Sequence, residues 1–195
     1  MDIILASNNQ GKIKEFKKIL KEFDINVIPM KDINFHGEIV EDGNSFFENA
    51  LIKAKTIHEF SGLPVISDDS GICVDALSGE PGIYSARYHG VETDHGRNVH
   101  LLELMEGVKD RGAHFHCSIV LYISKDKYFE FEGKVYGNVG YSIEGTNGFG
   151  YDSLFIPNGY DKTFGLLPDE IKDNISHRAN AIKKLVEYFK NDFNN

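Results

Sequence analysis

The sequence predicts an α/β protein built on a mixed β-sheet flanked by helices. Three observations carry the prediction. The chain opens with a strand, a helix and a second strand in quick succession; a capped amphipathic helix follows; and two strand-like runs later meet at a short polar turn. Together they combine sequential strand connections with a hairpin, which is the signature of a mixed sheet.

Each element has a local reason. Asp2 to Ala6 is a short apolar run of the kind that forms a buried strand, and Lys12 to Lys21 places Ile13, Phe16, Ile19 and Leu20 on one helical face. Asn26 to Pro29 reads as the next strand, closing a βαβ-like unit. Ser45 to Ser61 is the clearest helix. Ser45 and Glu48 have the capping-box spacing, Phe47, Ala50, Leu51, Ala54 and Ile57 recur at helical intervals, and Gly62 and Pro64 end the pattern. A further helix is expected from about Asp94 to Met105. Between Ala113 and Tyr136 two β-rich runs flank Ser124-Lys125-Asp126-Lys127, and Phe129 and Phe131 alternate with Glu130 and Glu132, as in an antiparallel hairpin. Ala179 to Asn191 closes the chain as an amphipathic helix with Ile182, Leu185, Val186 and Phe189 inward, and Asn191 to Asn195 is expected to fray.

Composition bounds the possible roles. The 195 residues suit a single domain spanning 1–195, which buries roughly 70% of its unfolded surface. The two cysteines, Cys73 and Cys117, sit in apolar sequence without paired spacing and read as buried thiols of a reducing compartment. No apolar run has the length of a membrane span, and Ile3-Ile4-Leu5-Ala6 gives way at once to Ser7-Asn8-Asn9, so a cytoplasmic protein without membrane association is expected. A formal charge of −9 argues against nucleic acid as the main partner. A polyanionic small molecule still fits, given clustered lysine and arginine or a metal.

The most informative stretch is Ser67-Asp68-Asp69-Ser70-Gly71, after the apolar run Leu63-Pro64-Val65-Ile66. Read as a tight loop at a strand end, it suits a metal and a water, because Mg²⁺ takes oxygen ligands from one or two carboxylates plus substrate phosphates. It equally suits an ordinary turn, since Asp and Ser bond nearby backbone and Gly supplies positive φ. Other clusters carry the same two-sided reading. Ser7-Asn8-Asn9-Gln10-Gly11-Lys12 is a phosphate cradle at a helix N-terminus or a simple polar cap, and it lacks the spacing of a Walker loop. Glu38 to Gly43 offers a carboxylate to a cation or complements a helix dipole, and Lys53 on its helix is a ligand or a solvated charge. Gly145 to Asp152 is a ligand-hugging loop, with Phe149 and Tyr151 as flat surfaces for a ring, or a flexible turn. Lys172 with Ser176-His177-Arg178 puts cations at a helix start where the dipole prefers acids, which favours function.

In order along the chain, Ser7 to Lys12, Phe46-Phe47-Glu48-Asn49-Ala50 with Lys53-Ala54, Asp68 to Ile72 with Val74-Asp75-Ala76-Leu77, Pro81 to Tyr88, Gly148 to Asp152 and Ser176-His177-Arg178 resemble the inosine triphosphate pyrophosphatase family. The resemblance implies an elongated mixed sheet with two lobes around a central nucleotide-binding cleft, and usually a homodimer. It implies a Mg²⁺-dependent hydrolase of ITP, dITP and XTP that releases monophosphate and pyrophosphate and clears these nucleotides from the pool. By motif, Asp69 is the proton acceptor and a metal ligand, with Glu41 as the second ligand and Glu38 as a remote alternative. Ser7, Asn8, Asn9, Gln10, Gly11, Lys12 and Lys53 hold the triphosphate, Ser70 contacts substrate, and Phe149, Gly150, Tyr151, Asp152, Lys172, His177 and Arg178 line the nucleotide site.

The chain departs from the family pattern in places. Val40 and Glu41 stand where paired glutamates are common, Asn147 replaces a glycine, Ser153 a proline, and Gly165-Leu166 an Ala-Glu pair. Two rival readings use the same residues. A nucleotide sensor has no need of Asp69, and a serine hydrolase built on Ser70 needs a base such as His177 but lacks the G-x-S-x-G elbow.

Overall fold

Ile3, Ile4, Leu5 and Ala6 are all buried because their strand is covered on both faces. The computed structural model describes residues 1–191, so the expected frayed tail falls, apart from Asn191, outside the described residues. Strand β1 (Asp2–Leu5) leads through helix α1 (Gln10–Leu20) to β2 (Asn26–Pro29), and helix α2 (Phe46–Ser61) leads to β3 (Val65–Val74). Both β2 and β3 pair with β1 in parallel, one on each side, with Asp2 opposite Asn26 and Leu5 opposite Ile66. Helix α3 (Asp94–Leu104) precedes the long strands β4 (Gly112–Ser124) and β5 (Lys127–Val139), and the short β6 (Phe155–Pro157) precedes α4 (Asp169–Ile175) and α5 (His177–Asn191). The sheet order is β2-β1-β3-β4-β5-β6, and β6 is antiparallel to β5. Neighbouring strands β4 and β5 are joined by Lys125-Asp126 alone, a connection only an antiparallel pair permits. The sheet is therefore mixed, as expected.

The chain forms two compact units. The first comprises Met1–Asp69, Cys117–Glu132 and the residues from Ala181 onward. Its strands alternate in the faces they present. Ile3, Leu5, Ile66, Cys117, Ile119 and Leu121 pack with Ile13, Phe16 and Leu20 of α1 and with Ile182, Leu185 and Phe189 of α5. Ile4, Ala6, Val65, Val120 and Tyr122 pack on the other face with Ala50, Ala54 and Ile57 of α2. Helices thus leave β1 and β2 toward opposite faces. That arrangement places a topological switch at the carboxyl end of β1, beside the middle of β3, the kind of position at which open α/β sheets bind ligands.

Local chemistry sets the helix ends. Asn9 caps α1 by accepting the Lys12 N–H, and Ser45 caps α2 by accepting the Glu48 N–H at 3.1 Å. Glu48 completes the exchange on the Asn44 N–H at 2.6 Å, one residue before the position a capping box uses. Gly62 ends α2 at φ +70°, a conformation costly to any residue with a Cβ.

The second unit comprises Ser70–His116 and Gly133–Asn180. Its core gathers Ile72, Val74, Leu101, Met105, Phe115, Val139, Tyr151, Leu154, Phe155 and Phe164. Buried Arg111 ties this core together, donating to the carbonyls of Val139, Met105 and Gly140. No helix among the described residues is long and apolar enough to cross a membrane, and Cys73 and Cys117 are free thiols.

One expectation is overturned. Ser67 to Gly71 is neither a loop nor a turn but the middle of β3. The strand continues because its backbone and side chains are supported there. Ser67 Oγ donates to the Ala50 carbonyl at 2.6 Å, and the Ile72 N–H donates to Ser85 Oγ at 3.0 Å. Gly71 is present for close approach, not for a turn, since a Cβ there would lie 2.3 Å from both the Gly82 carbonyl oxygen and Ser85 Oγ. The short α4 and β6, and the 3-10 segment Gly82–Gly90 that carries Ser85, had no distinct periodic signal. We expect Gly71→Ala to destabilise the protein by about 1–3 kcal/mol, as overpacking does, measured by urea unfolding at neutral pH.

Candidate active site

In the first unit the site is built on the alternation of β3. Ser67 points to α2 through its bond to Ala50, Asp68 points to the α1 face, and Asp69 returns to α2. Adjacent aspartates therefore face opposite sides of the sheet. Each meets the lysine of its own helix. Lys12, in the first turn of α1, reaches Asp68 Oδ2 at 2.9 Å, where Cys117 Sγ lies 3.9 Å away. Lys53 of α2 lies 3.7 Å from Asp69 Oδ1 and 3.0 Å from Glu41 Oε2. Its side chain is only 11% exposed, so the solvated-lysine reading fails.

Asn49 completes the arrangement, and sequence reasoning missed its part. One helical turn before Lys53 and on the same face, it donates from Nδ2 to Asp69 Oδ2 at 3.0 Å. Its Oδ1 accepts the Gly43 N–H at 2.9 Å. A Cβ on Gly43 would meet both Asn49 N and Asn49 Oδ1 at 2.9 Å, so the glycine lets the loop carrying Glu41 close onto α2. The available signal was a polar residue on the apolar face of a helix, four residues from a lysine.

These contacts set the protonation balance. Burial pushes the Asp69 carboxyl above its ordinary value, and Glu41 adds to the rise, while Lys53, Asn49 and Lys12 oppose it. Burial alone would pull the Lys53 ammonium down, but the charges of Asp69, Glu41 and Asp68 outweigh it and hold Lys53 above its ordinary value. Two ammonium groups face three carboxylates in this cluster, an excess of one negative charge. Among the described residues no three metal-ligating side chains converge, so Glu41 and Asp69 offer a cation two hard oxygen groups at most.

The Ser7 to Lys12 segment lies at the carboxyl end of β1, as expected of a cradle. Several of its polar groups serve the segment itself. Ser7 Oγ accepts the Asn9 N–H at 3.1 Å, and Gln10 Nε2 donates to the Asn8 carbonyl at 3.2 Å. Gln10 and Gly11 lie in the first turn of α1, where N–H groups give positive potential.

In the second unit, Ser70 Oγ accepts from Arg178 Nη2 at 3.0 Å. Arg178 is 1% exposed, although arginine is rarely so deep. Phe149 presents its ring to Lys172 Nζ at 4.5 Å and to the Arg178 guanidinium carbon at 5.6 Å. Lys172 pairs with buried Asp152, whose Oδ2 also accepts the Phe149 N–H at 2.8 Å. Burial raises the Asp152 carboxyl against the pull of Lys172. The loop is pinned from α3 as well. Asp94 accepts the Gly150 N–H at 2.8 Å, and Asn98 donates to the Gly150 carbonyl at 2.9 Å. Neither residue stood out in the sequence, because both look like ordinary polar positions near a helix start.

Two residues of this group lie deeper than their motifs suggest. Tyr151 is buried with its hydroxyl donating to the Ser85 carbonyl at 3.1 Å, so it offers no open flat surface. His177 is also buried, its ring stacked on Phe115 at 4.8 Å. The contact that Ser70 makes with a guanidinium, which cannot accept a proton, weakens the serine-hydrolase reading.

A family model, that of the Ham1 family, matches residues 3–188. The chain belongs to the Ham1 family. A dITP/XTP pyrophosphatase from Listeria monocytogenes is 47% identical over 94% of this chain and 92% of its own length. Another, from Clostridium tetani, is 42% identical over 96% of each. The solved structure of the Staphylococcus aureus Ham1 protein matches with a TM-score of 0.90 at 40% identity, covering 97% of this chain and 98% of that one. The resemblance carried by the six motifs is thus established at the level of family and fold.

In this Ham1 chain Lys53 is the shared partner of two acids, and its removal has a pH signature. A group whose pKa is raised by folding stabilises fully below its unfolded value and loses that contribution as pH rises through the folded one. We expect Lys53→Met to cost on the order of 3 kcal/mol at neutral pH, as when one partner of a buried pair is removed. The difference from wild type should shrink above pH 10.5, the ordinary lysine value, as Lys53 itself loses its proton. Urea unfolding of both proteins across that range measures it.

Proposed function

We propose that this Ham1 protein is a metal-dependent nucleoside triphosphate pyrophosphohydrolase acting on ITP, dITP and XTP, with monophosphate and pyrophosphate as products. The names of the Listeria and Clostridium relatives support the reaction class. The observation that carries the reading is the Asp69 carboxylate, held by Asn49 on one oxygen and faced by Lys53 on the other, with its basicity raised by burial.

Asp69 is then the group that takes a proton from the attacking water. Asn49 fixes the carboxylate plane, so that orientation is set before substrate arrives. Lys53 and Lys12, with the first-turn N–H groups of Gln10 and Gly11 and the side chains of Ser7, Asn8 and Asn9, bind and orient the triphosphate. Such a ligand brings about four negative charges to a cluster that already has an acid excess. The donor set therefore fits Mg²⁺, which Asp69 and Glu41 would hold with substrate oxygens completing the shell. When bound, Mg²⁺ supplies neutralising charge and polarises the phosphoryl oxygens.

Base recognition falls to the loop of Phe149. Its ring, 36% exposed and flanked by Lys172 and Arg178, is the flat surface on which a purine stacks. Asp152, Gly150 and Tyr151 hold that loop, His177 packs on Phe115 at the start of the helix that carries Arg178, and Arg178 holds the Ser70 hydroxyl for contact with substrate. Hypoxanthine and xanthine present a 6-oxo acceptor to such donors, whereas the amino group of adenine leaves them unpaired. A cytoplasmic homodimer accords with the family resemblance.

Incubation with ITP, XTP and ATP, followed by anion-exchange separation, is expected to yield IMP or XMP with pyrophosphate and to spare ATP. Chelation by EDTA should stop turnover. Release of orthophosphate, or no turnover with Mg²⁺ present, overturns the proposal. In the Asp69→Asn variant we expect kcat to fall by at least 1000-fold while nucleotide binding, followed by calorimetry, persists. Because the ionised carboxylate is the active form, kcat/KM of the wild type should decline on the acid side with a midpoint above 3.8, the ordinary aspartate value.

A further inference from the structure

Two histidines of the second unit face each other across the gap between the Gly82–Gly90 segment and α3. His89 Nδ1 lies 2.6 Å from His100 Nε2, with the ring centroids 4.8 Å apart and the ring planes at 61° to each other. The His100 side chain is 26% exposed, and His89 lies at the surface. The second nitrogen of His100, Nδ1, is 3.5 Å from the Glu103 carboxylate one turn further along α3. His89 stands at φ +49°, a backbone region that residues with a Cβ rarely occupy, and its ring stacks on Tyr88 at 4.2 Å.

Two imidazole nitrogens can point at one another only by sharing a proton or by sharing a cation. At 2.6 Å the pair shares a proton in this structure, and the same two nitrogens, with a carboxylate near the far nitrogen of His100, are also a ready pair of donors for a cation. A carboxylate on the far nitrogen of a histidine is the arrangement that fixes the tautomer of a metal-ligating imidazole and raises its basicity. We propose that His89 and His100 form a surface site for a borderline transition-metal ion of the Zn²⁺ class, with Glu103 as a positioning residue for His100. Bonds of 2.0–2.1 Å in a tetrahedral shell need the two nitrogens roughly 3.3 Å apart. The site therefore requires the exposed His89 ring to turn slightly away from its 2.6 Å contact when the ion binds. Among the described residues no third metal-ligating side chain converges on the pair, so water completes the shell.

The chemistry separates this site from the Asp69 cluster. Imidazole nitrogens favour Zn²⁺, Ni²⁺ and Cu²⁺ over Mg²⁺, which prefers oxygen and dehydrates reluctantly. A bound ion would staple two elements that each hold a site residue. The Gly82–Gly90 segment carries Ser85, whose hydroxyl accepts the Ile72 N–H beside Gly71, and α3 carries Asp94 and Asn98, which pin Gly150. The inference stands on His89, His100 and Glu103 and does not require the proposed reaction.

Calorimetric titration of the full chain with ZnCl₂, with millimolar Mg²⁺ present to occupy oxygen sites, tests it. One equivalent of Zn²⁺ should bind the wild type, with binding lost in His89→Gln and in His100→Gln and weakened about tenfold in Glu103→Gln. Zinc should also raise the melting temperature of the wild type and leave that of both histidine variants unchanged, and the metal-free melting temperatures confirm that the variants fold. Absence of zinc binding by the wild type, or equal stoichiometry and affinity in folded His89→Gln and His100→Gln, overturns the proposal.

Discussion

The two-residue repeat of a β-strand governs the arrangement of this protein's chemistry. Side chains at 68 and 69 on β3 must face opposite sides of the sheet, so one Asp-Asp pair serves two helices. Lys12 approaches from α1 and Lys53 from α2, and each finds an acid because the strand presents one to each face. A loop at this place would have let both carboxylates turn to one side and form a single acidic clamp. The strand instead makes Asp68 a structural anchor of the α1 N-terminus and leaves Asp69, with Asn49 and Glu41, as a separate centre. Its rigidity comes from packing on both faces, with Ile66 in one core and Val65 in the other.

Much of this was legible in the sequence. The βαβ opening, the capped helix ending at Gly62 and the hairpin turn at Lys125-Asp126 are short-range features, encoded by periodicity and capping residues that lie within a few positions of each other. Ser67 to Gly71 misled because its composition is that of a turn, while the groups that keep it extended lie elsewhere in the chain: Ala50 on α2 and Ser85 on the Gly82–Gly90 segment. Asn49 and Asn98 were obscured for a related reason. A buried amide has no pattern of its own, and its significance is set by what it touches. The order of the six motifs located the family because it samples nearly the whole chain, which single clusters did not.

Burial also separates residues that a motif groups together. In Gly148-Phe149-Gly150-Tyr151-Asp152 only Phe149 presents a ring toward solvent, while Tyr151 and Asp152 face inward to Ser85 and Lys172. The same holds at the last helix, where Arg178 is buried against Ser70 and Phe149. The motif therefore encodes a supported aromatic platform more than a row of equivalent contacts.

Each of the lysines Lys12, Lys53 and Lys172 already holds a carboxylate of its own chain. A polyanion arriving at such lysines does not meet naked positive charge; it must displace internal counter-ions, as on an ion-exchange resin. Free phosphates and nucleic acids, which the net charge of −9 already repels, gain little from that exchange. A ligand that brings its own cation gains more, because the acids released from the lysines acquire a new partner in the same step. Under the proposed reaction, the resting pairing of these side chains is what would favour a metal-carrying ligand over bare anions.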